Sequence, residues 1–473
     1  MTDLDEKIKA YWDRPEQKDL LVELVRRLVE IPSVREDAVP NAPFGPQPAR
    51  CLAEALDICR ELGFATENVD NYVGVATLNE SPVALHILGH LDVVGEGKGW
   101  TRPPYQLTQE EGILYGRGVI DDKGPVVAAM LAMKCVKDLG IKLPDGVQLL
   151  LGTDEESGSE DIAYYYKKHP YAKYAFTPDA SFPLINVEKG SYKPTFTAKL
   201  TEPPREGVRV TALEGGFRIN VIPGEAEAMV EGMTAPEVGA VLTRTAEKTG
   251  VHFSARSEGT GCRICAKGVG GHASTPEAAN NALTALLSLL DQLPLVSCPT
   301  TAMIRALAER FPHGSHNGQE LGMAVSDPVA GGTTVALTLL TMNEAEVYGR
   351  FDSRTSLAAD EENTRKPVEK SLAMAGFKVT GGMEPPHHTP EDAPIVKALL
   401  SCYQHCTGRT DCRPLAIGGG TYVHDIPGGV AFGCEMDDFE YNMHGPDERV
   451  PVDSLLLSGR IFTHAITALC GES

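Results

Sequence analysis

Two histidines and a set of carboxylates stand where apolar runs of this chain give out. "HILGHLDVV" ends on His90 and Asp92, a His-x-Asp whose side chains share one face if the chain is extended. "YGRGVIDDKGP" carries Asp121 and Asp122 ahead of a helical stretch, among Gly116, Gly118 and Gly124. "VQLLLGTDEESG" turns from apolar to acidic at Glu155 and Glu156, "YAFTPDA" reaches Asp179, and "YNMHGPDERVP" holds His444. Singly, each has an ordinary explanation: an exposed pair, a helix cap, a solvated turn. Together, His90, Asp121, Glu156, Asp179 and His444 make two imidazoles and three carboxylates. That set suits two zinc ions sharing a bridging carboxylate. Each ion would take one His and one terminal carboxylate, with a position left for water. Adjacent residues of an extended chain point to opposite sides. Glu155 and Glu156 are therefore expected to differ in role, one binding a cation and the other taking a proton from the water on it. The second nitrogen of His90 needs a partner to fix its tautomer, and Asp92 is nearby.

The elements that must position these groups read as an α/β fold. "QKDLLVELVRRLVEIP", "PARCLAEALDICRELGF" and "GPVVAAMLAMKCVKDLG" have helical spacing, and "VALHILGHLDVV", "GVQLLLGTDEE" and "YAFTPDA" are apolar strands between them. The alternation predicts a mostly parallel sheet covered by helices, with ligands gathered beyond the carboxyl ends of its strands. From about Lys189 the texture changes to period-two strands such as "SYKPTFTAKL" and "GCRICAKGV", with a helix in "NNALTALLSLLDQL". This predicts an inserted α+β domain over 188–384, between two parts of a catalytic domain at 1–187 and 385–473. "GGMEPPHHTPED" reads as a Pro-rich return, with His387 and His388 structural.

The chain's 473 residues exceed one ordinary core, and 65 acidic against 43 basic side chains give a net charge of −22. That balance argues against nucleic acid and anionic membrane as partners. No apolar run approaches the roughly 20 residues of a membrane span, and "MTDLDEKIKAYWDRPEQKDLL" has no signal-type core, so the expected location is cytoplasmic. The 11 cysteines read as reduced thiols. Cys262 and Cys265 form a CxxC without a second pair at zinc-site spacing and are expected to be structural.

The order and wording of "GHLDVV", "GRGVIDDKGP", "TDEESGSED", "TPDASFP", "GGHASTPEAANNA" and "NMHGPDERVP" resemble the di-zinc metallopeptidase family M-twenty, which holds carboxypeptidase G, aminoacylase and carnosinase-type dipeptidases. The resemblance implies a zinc-dependent hydrolase of dipeptides, or of acyl-amino acids on the same scaffold, with two Zn2+ per chain; Mn2+ and Co2+ fill similar sites. His90 and Asp179 would hold one ion, Glu156 and His444 the other. Asp121 would bridge them, with a cis peptide bond after it. Asp92 would orient His90, and Glu155 would be the general base. The inserted domain would be a lid, with His272 stabilising the oxyanion and Asn220 and Arg354 clamping the substrate carboxylate. Gly419, Gly420 and Thr421 of "AIGGGTYVH" would contact substrate. His424, just beyond them, has no counterpart role. The subgroup most resembled is the bacterial dipeptidase V type, which implies a small peptide substrate and an enzyme able to work as a monomer, a homodimer not being excluded.

Overall fold

In the computed structural model, which describes residues 2–200 and 206–471, the chain divides into two units. The first takes the chain up to Val187, His387–Ala416 and the chain from Gly420; the second takes Glu188–Pro386 with Ile417–Gly419.

In the first unit, the run "VALHILGH" forms the strand Val83–His90, buried from Ala84 onward. It pairs in parallel with Gly146–Gly152 on one side and Tyr174–Thr177 on the other, and the latter pairs in parallel with Val430–Ala431. Near-continuous apolar sequence is what burial on both faces requires. His90 stands opposite Gly152, so these two strands end level. Among the described residues, parallel pairing in this sheet centres on these four strands, with one further parallel bridge between Ser181 and Glu435. The hairpin of Ala65–Val69 and Val73–Thr77 adds an antiparallel edge, and Ile185–Glu188 runs antiparallel to Val430–Ala431. The expected mostly parallel sheet is thus realised in its centre only. The cause at the hairpin is local: Asp70 and Asn71 both take positive φ (55° and 58°), and Tyr72 N–H returns to the Val69 carbonyl. Asp and Asn tolerate this conformation better than other non-glycine residues.

The helix Lys123–Asp138 packs on the central strands and is itself covered by Pro15–Val29 and Val452–Cys470. Burial from all sides explains why Lys123–Met133 shows no polar face. Its start comes close to the sheet at Gly89, where a Cβ would lie 2.4 Å from Val126 Cγ2 and 2.9 Å from Asp122 Oδ2. A methyl there would cost about 1–3 kcal/mol by overpacking. The opposite face of the sheet carries the helix Glu160–Tyr166, whose Tyr166 hydroxyl lies 2.9 Å from His86 Nδ1.

The second unit is built on an antiparallel sheet centred on the hairpin Thr334–Met342 and Glu346–Thr355, with Arg209–Gly215, Glu225–Glu231 and Gly261–Lys267 continuing it. The helix Ala282–Leu290 seals one face and is buried at every position except Ser288. Cys262 and Cys265 are three apart on one strand and so face opposite sides; all eleven cysteines are unpaired thiols. The Pro-rich return is not a plain connector: Met383–Glu384 pairs with Gly190–Tyr192, and His387–His388 adds an edge strand to the first unit's sheet. Among the described residues no helix is long and apolar enough to cross a membrane.

Candidate active site

His90 is the last residue of the central strand and is fully buried. Its Nε2 lies 2.9 Å from Asp121 Oδ1 and 3.5 Å from Asp179 Oδ2. The other Asp121 oxygen, Oδ2, lies 2.7 Å from His444 Nε2, and that nitrogen lies 3.2 Å from Glu156 Oε1. One carboxylate thus reaches two imidazoles through its two separate oxygens. His90, Asp121 and Asp179 form one group with metal-ligand spacing, and Asp121, Glu156 and His444 form another. All five residues singled out by type and spacing come together in the first unit. Two atoms at the centre, His90 Nε2 and Glu156 Oε1, are buried without a hydrogen-bond partner. Buried polar atoms are rarely left so. Unmatched lone pairs on an imidazole nitrogen and a carboxylate oxygen, amid three carboxylates and two imidazoles, fit divalent cations of the zinc class.

The charges explain the same point. Burial would raise the Asp121 carboxyl, yet His444 and His90 hold it well below the usual carboxylate range. Burial would lower His444, yet Asp121 and Glu156 raise it to about 11; His90 is raised by Asp121, Asp179 and Asp92 in the same way. Burial, with Asp121 beside it, pushes Glu156 up to about 7, and burial, with Asp179, Glu156 and Asp121, pushes Glu155 well above its ordinary value. Without cations, protons must neutralise this cleft.

The loops differ from what extended strands would give. Val83–His90 ends before Asp92, and Gly146–Gly152 ends before the glutamates, which lie in a single 3₁₀ turn, Glu155–Ser157. It is the Asp92 backbone carbonyl that accepts from His90 Nδ1, at 3.0 Å. The Asp92 carboxylate stays 3.5 Å from that nitrogen and accepts the backbone N–H groups of Glu155 and Glu156, one on each oxygen, both at 3.1 Å. Asp92 therefore fixes His90 through its main chain and the glutamate pair through its side chain. Asp122 does not cap the helix it precedes; its Oδ2 accepts the His90 backbone N–H at 3.1 Å. The Asp121–Asp122 peptide bond is cis.

Residues with no evident motif role hold these loops. Glu448 and Arg117 form a buried ion pair at 2.5 Å. Glu448 Oε1 also accepts N–H bonds from Gly118, Ile120 and Asp121, while Arg117 donates to the carbonyls of His444 and Gly445. The pair joins the loop of Asp121 to the loop of His444. His444 sits at φ 59°, a left-handed conformation that histidine visits more than most residues. On the other side, Asp161 accepts the backbone N–H groups of Thr153 and Asp154 and the Tyr422 hydroxyl. The Tyr422 ring meets His90 edge-on, with centroids 6.3 Å apart.

A family model, described as Peptidase family M20/M25/M40, matches residues 86–468. The chain belongs to this family. It is a hydrolase of peptide bonds. Among curated relatives, the putative dipeptidase YtjP of Bacillus subtilis is 30% identical over 464 residues, covering 96% of this chain and 98% of that protein. The Beta-Ala-Xaa dipeptidase of Lactobacillus delbrueckii subsp. lactis is 31% identical over 457 residues, covering 96% of each. Of solved structures, human carnosine dipeptidase 1 has a TM-score of 0.59 at 17% identity, covering 100% of both chains. The aminoacylhistidine dipeptidase of Vibrio alginolyticus has a TM-score of 0.57 at 14% identity, covering 96% of this chain and 97% of that one. At such identities the likeness concerns the fold.

The remaining residues of this M20/M25/M40 chain expected to meet substrate lie elsewhere in the sequence. Asn220 and His272 are neighbours in the second unit: Val221 pairs with His272, and the Asn220 carbonyl accepts from Ala273 N–H at 2.9 Å. His272 is exposed, its Nδ1 lying 2.6 Å from Ser274 Oγ. Arg354 is held by Asp352 through two bonds, at 2.8 and 3.0 Å, and donates also to the Gly418 carbonyl. Two of its five N–H groups are left by these bonds. Gly419 belongs to the second unit and Gly420 to the first. Thr421 Oγ1 accepts Val423 N–H at 3.4 Å and caps the turn Tyr422–Asp425. His387 Nε2 donates to the Gly429 carbonyl at 2.8 Å, and the His424 ring lies 6.4 Å from the His387 ring.

Proposed function

We propose that this chain is a metal-dependent dipeptidase. The observation that carries the reading is Asp121, whose two oxygens reach His90 at 2.9 Å and His444 at 2.7 Å. A carboxylate so shared suits a bridge between two cations, and the named dipeptidases at 30% and 31% identity support the substrate class. His90 and Asp179 are assigned to one ion, Glu156 and His444 to the other, and Asp121 to both. Bound there, two zinc, manganese or cobalt ions would polarise the scissile carbonyl and make a water acidic near neutral pH. Glu155, beside the ligand Glu156 on one turn, takes the proton and returns it to the leaving amine. Asp92 keeps the backbones of both glutamates in place. His272 donates to the oxyanion, Asn220 and Arg354 bind the substrate carboxylate, and Gly419, Gly420 and Thr421 line its path.

The test is a screen of dipeptides and acyl-amino acids on metal-loaded enzyme, with chelator stripping and metal restoration. Dipeptides are expected to be cleaved, with activity lost and regained with metal. Cleavage of acyl-amino acids alone would move the substrate class to deacylation, and a rate indifferent to chelator would end the metal reading. Glu155→Gln is expected to bind metal as the parent does yet lose nearly all turnover; parental rates in that variant would exclude Glu155 as base.

A further inference from the structure

A second group of ligand-type side chains lies in the first unit and shares no residue with the acidic cleft. Asp5 stands in the first turn of the helix Asp3–Trp12, His405 in the last turn of Pro394–Thr407, and His464 within Val452–Cys470. One carboxylate and two imidazoles thus converge from three helices, their donor atoms within 4.8 Å of one another. Asp5 Oδ1 lies 3.6 Å from His405 Nε2 and 3.8 Å from His464 Nδ1.

Those separations are too long for hydrogen bonds. They are close to what a shared ion imposes, since metal–donor bonds of about 2.0–2.1 Å at tetrahedral angles set donors about 3.3–3.4 Å apart. The two carboxylate–imidazole separations exceed that spacing by a few tenths of an ångström. The carboxylate is already oriented for it. Asp5 Oδ2 accepts the Thr2 backbone N–H at 2.6 Å in a capping box, and Oδ1 faces the two rings.

An ordinary ion pair does not account for the arrangement. His464 is 7% exposed, and the nitrogen it turns to Asp5 Oδ1 is Nδ1; its other nitrogen, Nε2, is buried with no hydrogen-bond partner, so no bond on that side fixes the ring. Burial, then the neighbouring His405, hold its imidazole down at about 4, so it is neutral near pH 7 and in the form that ligates metals. The His405 ring stands 5.0 Å from it, centroid to centroid and edge-on, and is partly open to solvent, where a water can complete the coordination.

We propose that Asp5, His405 and His464 form a binding site for a divalent transition ion of the zinc class. Two imidazoles and one carboxylate suit zinc, nickel, copper or cobalt rather than magnesium or calcium. Its role is structural. At the far end of its helix, Trp12 is already anchored, Nε1 donating to Thr463 Oγ1 at 3.1 Å. The ion adds a clamp at the near end, so that the first helix is tied at both ends to Val452–Cys470.

The test uses untagged full-length protein, stripped with chelator, dialysed against zinc and counted for ions per chain, beside His405→Ala and Asp5→Asn. The parent is expected to hold one ion more than either variant. Zinc is also expected to slow amide exchange in residues 3–12 of the parent and not of the variants. Equal ion content in the parent and both variants would overturn the proposal, and so would zinc-dependent protection that persists in them. Neither substitution touches the acidic cleft, so the count is independent of whether that cleft proves catalytic.

Discussion

Glu448→Gln asks whether the loops bearing Asp121 and His444 are held as one piece. In the parent, Glu448 Oε1 accepts amides at 3.0, 3.1 and 3.4 Å, and Oε2 meets the Arg117 guanidinium at 2.5 Å. Arg117 in turn donates to the His444 and Gly445 carbonyls at 3.3 and 3.2 Å. Glutamine keeps the shape but has one acceptor oxygen. Its amide group must face either the guanidinium or the three backbone N–H groups, and both are donors. Side-chain exposures of 1% and 0% mean that water cannot substitute. Removing one partner of a buried pair costs about 3–5 kcal/mol, because the other charge is left uncompensated. Against a total of about 5–15 kcal/mol, the variant should still fold. On the proposed assignment, a chain whose Asp121 and His444 loops have lost their common anchor should bind zinc about 10–100-fold more weakly, the usual effect of losing a group that orients a metal ligand. Urea unfolding gives the first quantity and competition with a chromophoric chelator the second. Arg117→Met added to Glu448→Gln should recover part of the stability by removing the lone charge, without restoring metal affinity. Full metal affinity in a Glu448→Gln protein destabilised by several kcal/mol would refute the positioning argument and leave the pair a packing feature.

Asp92→Asn leaves one acceptor for the two glutamate amides, and losing one such bond to a buried group, worth about 1–3 kcal/mol, should lower kcat roughly 10–100-fold in steady-state assays. His272→Ala should lose about 2.7–4 kcal/mol of barrier stabilisation, seen as a kcat deficit with metal content unchanged by elemental analysis; loss of metal would contradict a role in substrate binding. Burial holds His86 down at about 4, against an ordinary value of 6.5. Between those pH values the unfolded chain takes a proton that the folded chain refuses, so His86 costs stability as pH falls, by up to about 1.4 kcal/mol per pH unit. Buried Asp161, raised to about 7, contributes the opposite slope, so the quantity to measure is the difference between parent and His86→Asn in urea series from pH 6.5 to 4. No change in slope on substitution would show that His86 is not held neutral.

His90, Glu156 and Asp179 were legible as a cluster because their convergence follows from topology, whereas Asp121 and His444 stand in loops and were legible by residue type alone. Strands buried on both faces are apolar, so a His or a carboxylate at their ends stands out, and parallel strands bring those ends to one edge. Local geometry was less legible. Asp92 reads as a partner of the His90 side chain, whereas its carboxylate serves amides 63 and 64 positions away, a pairing that no periodicity reports. Arg117 and Glu448 are likewise joined across 331 positions. The one signal is Arg117, a charge set between two glycines; Glu448, flanked by Asp447 and Arg449, reads like part of an exposed charged turn. Arg354 and Asp352 were readable as a pair, since alternate strand residues share a face. The antiparallel hairpin edge was also written locally, in the Asp70–Asn71 dipeptide between two strands, a signal masked by the helix–strand alternation around it.

The order of the clustered residues along the polypeptide has a consequence for biosynthesis. A ribosome that has made residue 187 has already supplied His90, Asp121, Glu155, Glu156 and Asp179, but His444 comes only after the whole inserted unit has been translated. On the proposed assignment, no truncated product ending before that histidine can complete its second cation position. Hydrolytic competence is thereby delayed until His444 has been added, and chains released before it are born inert toward the peptides around them.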